Sequence, residues 1–322
     1  EWVAYSPFTI RVAPEKVDSY LAYRLIDPGY ELWNKMGIYQ RDLESYTQIP
    51  IIENKMSGNN CVNCHSFACR IRIDAVSYAR DFSGDILVDG DKIEKLNTKT
   101  KETISPLVYP SWHPSGKFVV FFINNTTQDT HPVHRTEVYD KASDVVVYDV
   151  EKQEIVTTQA LFSKKRFETF PTFSPDGKQL YFCSAPALKV PGELRDLRYS
   201  LCRVSFDPES RTFGSVVDTI FQAETEGQSI CFPVSRQTEI SALYNDIFGT
   251  FPIWHKDADL CMFDLSTGAQ VPTEEANSPD TDSYHSWSSN SKWVVFSSRR
   301  LDGLYTRPFI AHVGERGVLS KP

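Results

Sequence analysis

Four segments of this 322-residue chain share one pattern, and this repeat constrains the fold more than any other feature. Each segment opens with an aromatic residue, passes through a turn and ends in an alternating apolar run. In the second segment the turn reads Pro-Asp-Gly-Lys, where Pro fixes φ and Gly accepts a positive φ. Such self-similar units indicate a repeat architecture. The segments occupy residues 109–122, 170–183, 232–244 and 284–297.

Each unit is followed by a second hairpin of apolar runs. Residues 144–150 lead into 151–156, for example, and residues 259–265 lead into 266–271. Two hairpins per unit make four strands, which is the composition of one β-propeller blade. The units start roughly 50 to 60 residues apart, so insertions lengthen some of the connections.

The repeat resembles that of TolB-type propellers, whose core reads roughly W-S-P-D-G-K before an alternating strand. Residues 170–184 match it best, 109–122 and 284–298 match well, and 232–244 lacks the Asp-Gly turn. The resemblance covers residues 105–322. It implies an all-β fold, a β-propeller of six four-stranded blades.

Residues 1–104 are expected to supply two degenerate blades, so that residues 1–322 form a single propeller domain. Apolar runs predict strands near residues 20–26, 37–43 and 86–89. One short helix is expected over 15–25, and an outer strand over 318–322.

Residues 61–65 read Cys-Val-Asn-Cys-His, the attachment signal of a c-type haem. Two thiols at this spacing can form thioethers with the two vinyl groups of one porphyrin. The following His is then held under the ring, where its imidazole can bind the iron. Cys61 and Cys64 are therefore the predicted anchors of haem c, and His65 is the predicted proximal ligand.

Other interpretations of the two cysteines remain open. A bare C-x-x-C can be a redox pair or half of a zinc site, and Cys69 could be a third zinc ligand. No thioredoxin-like unit surrounds the pair, and no fourth zinc ligand is evident. A disulfide or two free thiols is the remaining alternative.

The motif is expected in a loop over residues 56–70, inserted near the second blade. A separate cytochrome c domain would need about 80 residues of helix, which the sequence lacks. The combined pattern resembles haem-bearing, TolB-like propeller proteins known as predicted envelope proteins of bacteria of the Bacteroides group. That resemblance implies no defined activity.

Five further cysteines remain, and four of them lie in apolar runs. Buried free thiols are the prediction for these four, with a Cys183–Cys202 disulfide as the alternative in an oxidising compartment. The four are Cys183, Cys202, Cys231 and Cys261.

His131 is the candidate for the sixth ligand of the iron, because it lies in a polar insertion together with His134. Met36 is reachable in principle, Met56 lies too close to Cys61, and Met262 alternates with strand residues as core filler. His113 and His285 are expected to be hydrogen-bonded turn residues and His255 to cap a strand, while His312 is a further histidine of the chain.

The net charge of −8 and the pI of about 5.5 argue against nucleic acid as the partner. No apolar stretch is long enough for a transmembrane helix. Because haem c is attached outside the bacterial inner membrane, we expect a removed signal segment and a location in the periplasm, cell envelope or extracellular space. The partner would be a redox partner or an envelope protein, and the chain could be a lipoprotein or part of a complex.

Three functions follow from these observations. The first is electron transfer or redox sensing through covalently bound haem. The second is a TolB-like scaffold that binds a protein or glycan, with haem structural or absent. The third is a haem enzyme with an open distal site. No G-x-S-x-G, H-E-x-x-H or phosphate-loop motif supports any other chemistry.

Overall fold

The computed structural model describes most of the chain. Outside the described part lie residues 1–2, 8–9, 11, 27–35, 60, 69–71, 79–83, 90–91, 97, 99, 102, 130–136, 237–238, 246–247, 250 and 315–316. The described residues form an all-β structure of 22 strands in six antiparallel sheets, each a meander of consecutive strands.

The first three sheets contain the following strands. Sheet 1 has β1 (Tyr20–Leu25), β2 (Gly37–Asp42) and β3 (Gln48–Glu53). Sheet 2 has β4 (Cys61–Ala68), β5 (Arg72–Tyr78), β6 (Gly84–Asp89) and β7 (Lys92–Leu96). Sheet 3 has β8 (Val108–Trp112), β9 (Phe118–Asp129), β10 (Glu137–Asp149) and β11 (Glu154–Val156).

The last three sheets follow the same scheme. Sheet 4 has β12 (Arg166–Phe173), β13 (Gln179–Pro186), β14 (Ser200–Asp207) and β15 (Thr212–Phe221). Sheet 5 has β16 (Ser229–Arg236), β17 (Glu239–Asn245), β18 (Ala258–Asp264) and β19 (Gln270–Val271). Sheet 6 has β20 (Asp282–Trp287), β21 (Trp293–Ser298) and β22 (Arg307–His312). Among the described residues, the helical elements are single turns: Asn54–Ser57, Leu194–Asp196, Ala223–Glu226 and Pro252–Trp254.

The predicted hairpin turns are confirmed between the first and second strands of sheets 3 and 4. Gly116 (φ 70°) and Gly177 (φ 72°) adopt the left-handed conformation that the turn requires. Each donates its N–H to the carbonyl three residues earlier, at 2.9 Å in both cases. The end of the sheets that carries these turns is called the turn end below.

The first strands of sheets 3 to 6 carry the same irregularity. In each, the register slips by one residue against the second strand. An aromatic residue at the slip has a positive φ, which costs an L-residue roughly 1 to 2 kcal/mol. Packing offsets this cost, because these four rings form one aromatic cluster with centroids 3.7 to 5.5 Å apart. The cluster consists of Tyr109 (φ 52°), Phe170 (45°), Phe232 (48°) and Tyr284 (42°).

The two ends of the chain meet at sheet 6. The carboxylate of Asp18 accepts hydrogen bonds from Ser289 N (2.7 Å) and Ser289 Oγ (2.5 Å). Glu15 contributes its carbonyl to Trp293 Nε1 (3.2 Å) and its carboxylate to His312 Nε2 (2.9 Å). The segment before β1 is thereby fixed to the last sheet.

Three expectations about local structure are wrong. Residues 20–25 of the predicted helix are the strand β1. The final residues form one bridge, Val313 with Leu319, instead of an outer strand. The expected haem loop over residues 56–70 is largely replaced by β4, because residues 61–68 pair with β5. Within the described residues, no helix is long and apolar enough to cross a membrane.

Candidate functional site

The Cys-Val-Asn-Cys-His motif lies on β4, the first strand of sheet 2. Val62 pairs with Ser77 and His65 pairs with Ala75, so β4 has one more residue than β5 between these pairs. This is the same slip that marks the first strands of sheets 3 to 6. The motif therefore occupies the repeat frame itself, with Cys64 at the position where sheets 3, 4 and 5 have proline.

The slip has a consequence for the spacing of the two cysteines. In a regular strand, residues three apart lie on opposite faces of the sheet, and one porphyrin could not reach both. The extra residue between Val62 and His65 shifts the alternation by one, which returns positions 61 and 64 to the same face. Cys-x-x-Cys is thus compatible with one flat ligand on this strand only because of the bulge.

The immediate surroundings of the motif are half-buried. Val62 is fully buried with Ile38, Ile52 and Ile86, so it packs β4 of sheet 2 against sheet 1. Cys64 and His65 are half-buried, and the His65 ring makes an edge contact with Phe67 at 5.7 Å. β4 is also the edge strand of sheet 2, so one side of its backbone pairs with no strand of that sheet.

Cys64 lies close to the aromatic cluster. Burial raises the pKa of Tyr284 to about 12, and a negative charge on Cys64 adds to the effect, whereas Arg24 opposes it. Burial, Tyr284 and Cys64 likewise raise the pKa of Tyr109 well above its ordinary value. Cys64 thus lies near the aromatic residues Tyr109 and Tyr284.

These residues fit a c-type haem. The donor set is two thiol positions on one face of a strand, followed by a half-buried imidazole. Tyr109 and Tyr284 lie near Cys64, and apolar side chains of this kind suit a porphyrin face.

Within the described part of the chain, no group of three His, Cys, Asp or Glu side chains could hold a metal ion, and Cys69 lies outside that part. Cys183, Cys202 and Cys261 are buried free thiols as predicted, so the Cys183–Cys202 disulfide is absent. Cys231 is buried with them.

Among the other histidines, His113 holds a turn, as expected. The His113 ring contacts Ser115 Oγ (2.8 Å) and the Gly177 carbonyl (3.0 Å), and burial lowers its pKa. His312 contacts Glu15, as described above. His255 (3% exposed) and His285 (7% exposed) are buried.

The methionines considered as sixth ligands differ in solvent exposure. Met262 is a core residue at 1% exposure, as predicted, and Met36 is buried at 8%. Met56 is 59% exposed. His131 and its neighbour His134 lie outside the described residues, so His131 stays a prediction.

His131 lies in the connection between β9 and β10, and the strands on both sides of this connection are described. β9 pairs with β8 only as far as Phe122, which faces Val108, the first residue of β8. β9 and β10 continue to pair up to Asp129 and Glu137, so they project beyond the start of β8. β4 lies against β8, which places this hairpin base next to the sheet that carries the motif.

A pocket of about 430 Å³ at the turn end was missed by the sequence analysis. Its walls include Trp112, Ser235, Arg236 and Trp287, which come from three sheets. The alignment of the repeats could have indicated this pocket. These residues occupy equivalent positions, three or four residues after the aromatic residue of their segments.

Comparisons with solved structures identify the architecture. TolB of Acinetobacter baumannii superposes with a TM-score of 0.51 at 15% identity, covering 94% of this chain and 65% of TolB. The chain has a TolB-like fold. A puromycin-hydrolysing peptidase of Mycobacterium tuberculosis gives a TM-score of 0.53 at 12% identity, over 94% of this chain and 44% of the peptidase.

An acylaminoacyl peptidase of Pyrococcus horikoshii gives a TM-score of 0.51 at 9% identity, over 97% of this chain and 45% of that protein. The chain thus spans 65% of TolB and under half of the two peptidases. At these identities the likeness concerns the fold alone. No family model matches the sequence, and no curated protein matches it.

Proposed function

We propose that this chain is an extracytoplasmic c-type haem protein on a β-propeller scaffold, which transfers electrons or senses redox state. Cys61 and Cys64 would form the thioethers, and His65 would be the proximal ligand. The β4 bulge supports this most, because it brings positions 61 and 64 to one face at the edge of sheet 2. Covalent haem attachment implies a location in the periplasm or cell envelope.

In this proposal the six sheets are the six blades of a closed propeller. Two observations support closure: the aromatic cluster joins the first strands of sheets 3 to 6, and Glu15 and Asp18 are bonded to sheet 6. The haem would then lie at the centre, where the first strands converge.

The side chains around the motif have defined tasks under this proposal. Bound haem would supply one-electron redox chemistry. Tyr109 and Tyr284 would exclude water from the side of Cys64, and a low dielectric there disfavours the charged state of a cofactor. Val62 would hold the strand in place through its buried contacts.

The test is expression with a signal segment in a bacterial host that matures c-type cytochromes. We expect an intact mass increased by one haem after denaturation, and sharp reduced absorption bands. Cys61→Ser and Cys64→Ser should each remove one thioether, and the double variant should carry no covalent haem. Cys202→Ser is the matched control, because this thiol is buried far along the chain in β14 and should leave the haem content unchanged.

An unmodified mass under these conditions would refute the proposal. Addition of carbon monoxide to the reduced protein separates two forms of it. A carrier with two protein ligands would not bind the gas, whereas an enzyme with an open distal site would bind it.

The second candidate function is a binding scaffold without a redox role. The pocket at the turn end favours it, because this pocket contains none of the motif residues.

A further inference from the structure

One arginine of sheet 1 lies on the face of that sheet that packs against the motif strand. Arg24 of β1 is directly opposite Ile38 of β2. Opposite residues of an antiparallel pair have their side chains on the same face of the sheet. Ile38 is fully buried in one cluster with Val62 of β4, so this face of sheet 1 is the one turned to sheet 2. The side chain of Arg24 therefore leaves β1 on the side of the motif.

The charge of Arg24 acts at the same place as the charge of Cys64. Burial raises the pKa of Tyr284 to about 12, and of the charges around it Arg24 lowers this pKa whereas Cys64 raises it. Burial and Tyr284 raise the pKa of Tyr109 well above its ordinary value, with Cys64 adding to the effect and Arg24 opposing it. Because such interactions weaken with distance, Arg24 and Cys64 both lie near the hydroxyls of these two tyrosines.

The guanidinium of Arg24 is accessible to a ligand. The residue is exposed, and among the described residues none accepts a hydrogen bond from it or forms an ion pair with it. Arg299 is the other arginine near Tyr284, and its side chain is engaged within sheet 6 and its surroundings. Its Nε donates to Thr306 Oγ1 at 3.3 Å, and its guanidinium lies over the Trp254 ring, 5.5 Å from the centroid. Arg24 is thus the uncompensated positive charge beside the motif.

A haem bound at the motif carries groups that match this arginine. Its two propionates are carboxylates, and they lie on the edge of the porphyrin away from the vinyl groups that form the thioethers. A partner for a propionate therefore has to come from an element beside β4, and sheet 1 is such an element. A guanidinium can bind a carboxylate through two parallel hydrogen bonds, which fixes its orientation as well as neutralising its charge.

We propose that Arg24 binds a propionate of the haem attached at Cys61 and Cys64, and thereby holds the porphyrin against sheet 1. This inference rests on the proposed function, because it needs the covalent haem. The positive charge also favours the reduced iron, which carries one positive charge fewer than the oxidised iron. Arg24 would therefore be both an anchor of the haem and a residue that raises its reduction potential.

The test uses the haem-loaded full chain and its Arg24→Gln and Arg24→Lys variants. Resonance Raman spectroscopy measures the bending band of the propionates, which responds to their hydrogen bonds, and a spectroelectrochemical titration measures the reduction potential. We expect both variants to shift the propionate band, because neither retains the planar fork of donors. Arg24→Gln should also change the reduction equilibrium roughly fivefold towards the oxidised state, which is about 40 mV at 59 mV per tenfold change, whereas Arg24→Lys should retain most of the potential.

Arg41→Gln is the matched control, because it removes the same charge from the same sheet. Arg41 is three residues after Ile38 on β2 and hence on the opposite face of sheet 1. Its guanidinium donates to Tyr23 Oη at 3.2 Å and to Gln48 Oε1 at 3.1 Å. This variant should leave the propionate band unchanged and shift the potential less than Arg24→Gln does.

Intact mass and circular dichroism establish that each variant is folded and carries covalent haem, as the exposed position of Arg24 leads us to expect. A propionate band that is the same in the unsubstituted chain and in both Arg24 variants would overturn this inference and leave the proposed function standing. Equal potential shifts in Arg24→Gln and Arg41→Gln would overturn it as well, since net charge alone would then explain them. An unsubstituted chain without covalent haem would overturn the proposed function and this inference together.

Discussion

Gly177 shows how a single residue holds two sheets together. Its φ of 72° already disfavours a side chain, and a Cβ there would lie 2.1 Å from Nε2 of His113, which contacts the Gly177 carbonyl. This residue therefore joins the turn of sheet 4 to the turn of sheet 3.

We expect Gly177→Ala to lower the free energy of unfolding by about 2 to 3 kcal/mol, since backbone strain and displacement of His113 add together. Gly116→Ala is the matched control, because Gly116 has nearly the same φ (70°) but nothing within 4 Å of the added Cβ. It should cost only about 1 kcal/mol. Urea denaturation measures both values, and equal losses would show that the contact with His113 contributes nothing.

Glu168 is a second residue with an effect on stability. It is only 1% exposed. Burial, and secondarily the charge of Asp144, raises its pKa to about 8. Asp140, also buried, has a pKa raised to about 7 by burial.

A carboxyl with a raised pKa in the folded state binds its proton more tightly there than in the unfolded chain. Its folding penalty is therefore absent below pH 4.5 and grows as the pH rises towards 8. We expect the melting temperature to fall between pH 4.5 and 8, and Glu168→Gln to reduce that fall. The exposed Glu209→Gln serves as control, and identical pH profiles for the two variants would contradict the assignment.

At the scale of the element, the strand bulge is the recurring device. The same one-residue slip carries the four clustered aromatic rings in sheets 3 to 6, and in sheet 2 it separates Val62 from His65 by one extra residue relative to the partner strand. The turn residues of the repeat could be predicted because Pro and Gly have strong local preferences. The bulge could not, because it depends on the partner strand.

The β9–β10 hairpin carries the element-scale prediction, which rests on the proposed haem. His131→Ala should convert a low-spin iron into a high-spin, ligand-binding one, since it removes the predicted sixth ligand. His134→Ala is the matched control, three residues along the same hairpin. Absorption and electron paramagnetic resonance spectra measure the spin state, and unchanged spectra for His131→Ala would exclude this ligand while leaving covalent attachment intact.

At the scale of the whole molecule, the segment before β1 is held on the last sheet by contacts of Glu15 and Asp18. Asp18 bonds Ser289 across 271 residues, whereas Asp42 accepts comparable bonds from Glu44 and Ser45 within its own turn. The two carboxylates thus accept similar hydrogen bonds, but Asp18 links two distant parts of the chain whereas Asp42 stabilises only its own turn.

We expect Asp18→Ala to lower the melting temperature and to accelerate proteolysis of the N-terminal segment, because it weakens the contact that holds that segment on sheet 6. Asp42→Ala should leave proteolysis of that segment unchanged. Limited proteolysis followed by mass spectrometry distinguishes them, and the same cleavage rate for both variants would show that Asp18 does not secure the ends.

The sequence alone determined the all-β class, the TolB-like repeat, the hairpin turns and the burial of Met262 and the strand cysteines. These follow from alternation, turn chemistry and the placement of thiols in apolar runs, all of which are local in the chain. The Cys-Val-Asn-Cys-His motif could also be recognised from the sequence, because it consists of five consecutive residues.

That positions 61 and 64 belong to a strand interrupted by a bulge, and that Cys64 lies near an aromatic cluster, emerged only from the tertiary structure. The same is true of the pocket formed by Trp112, Arg236 and Trp287, whose members are far apart in sequence. Register and convergence depend on which strands pair and how sheets pack, and these are long-range contacts that no local pattern encodes.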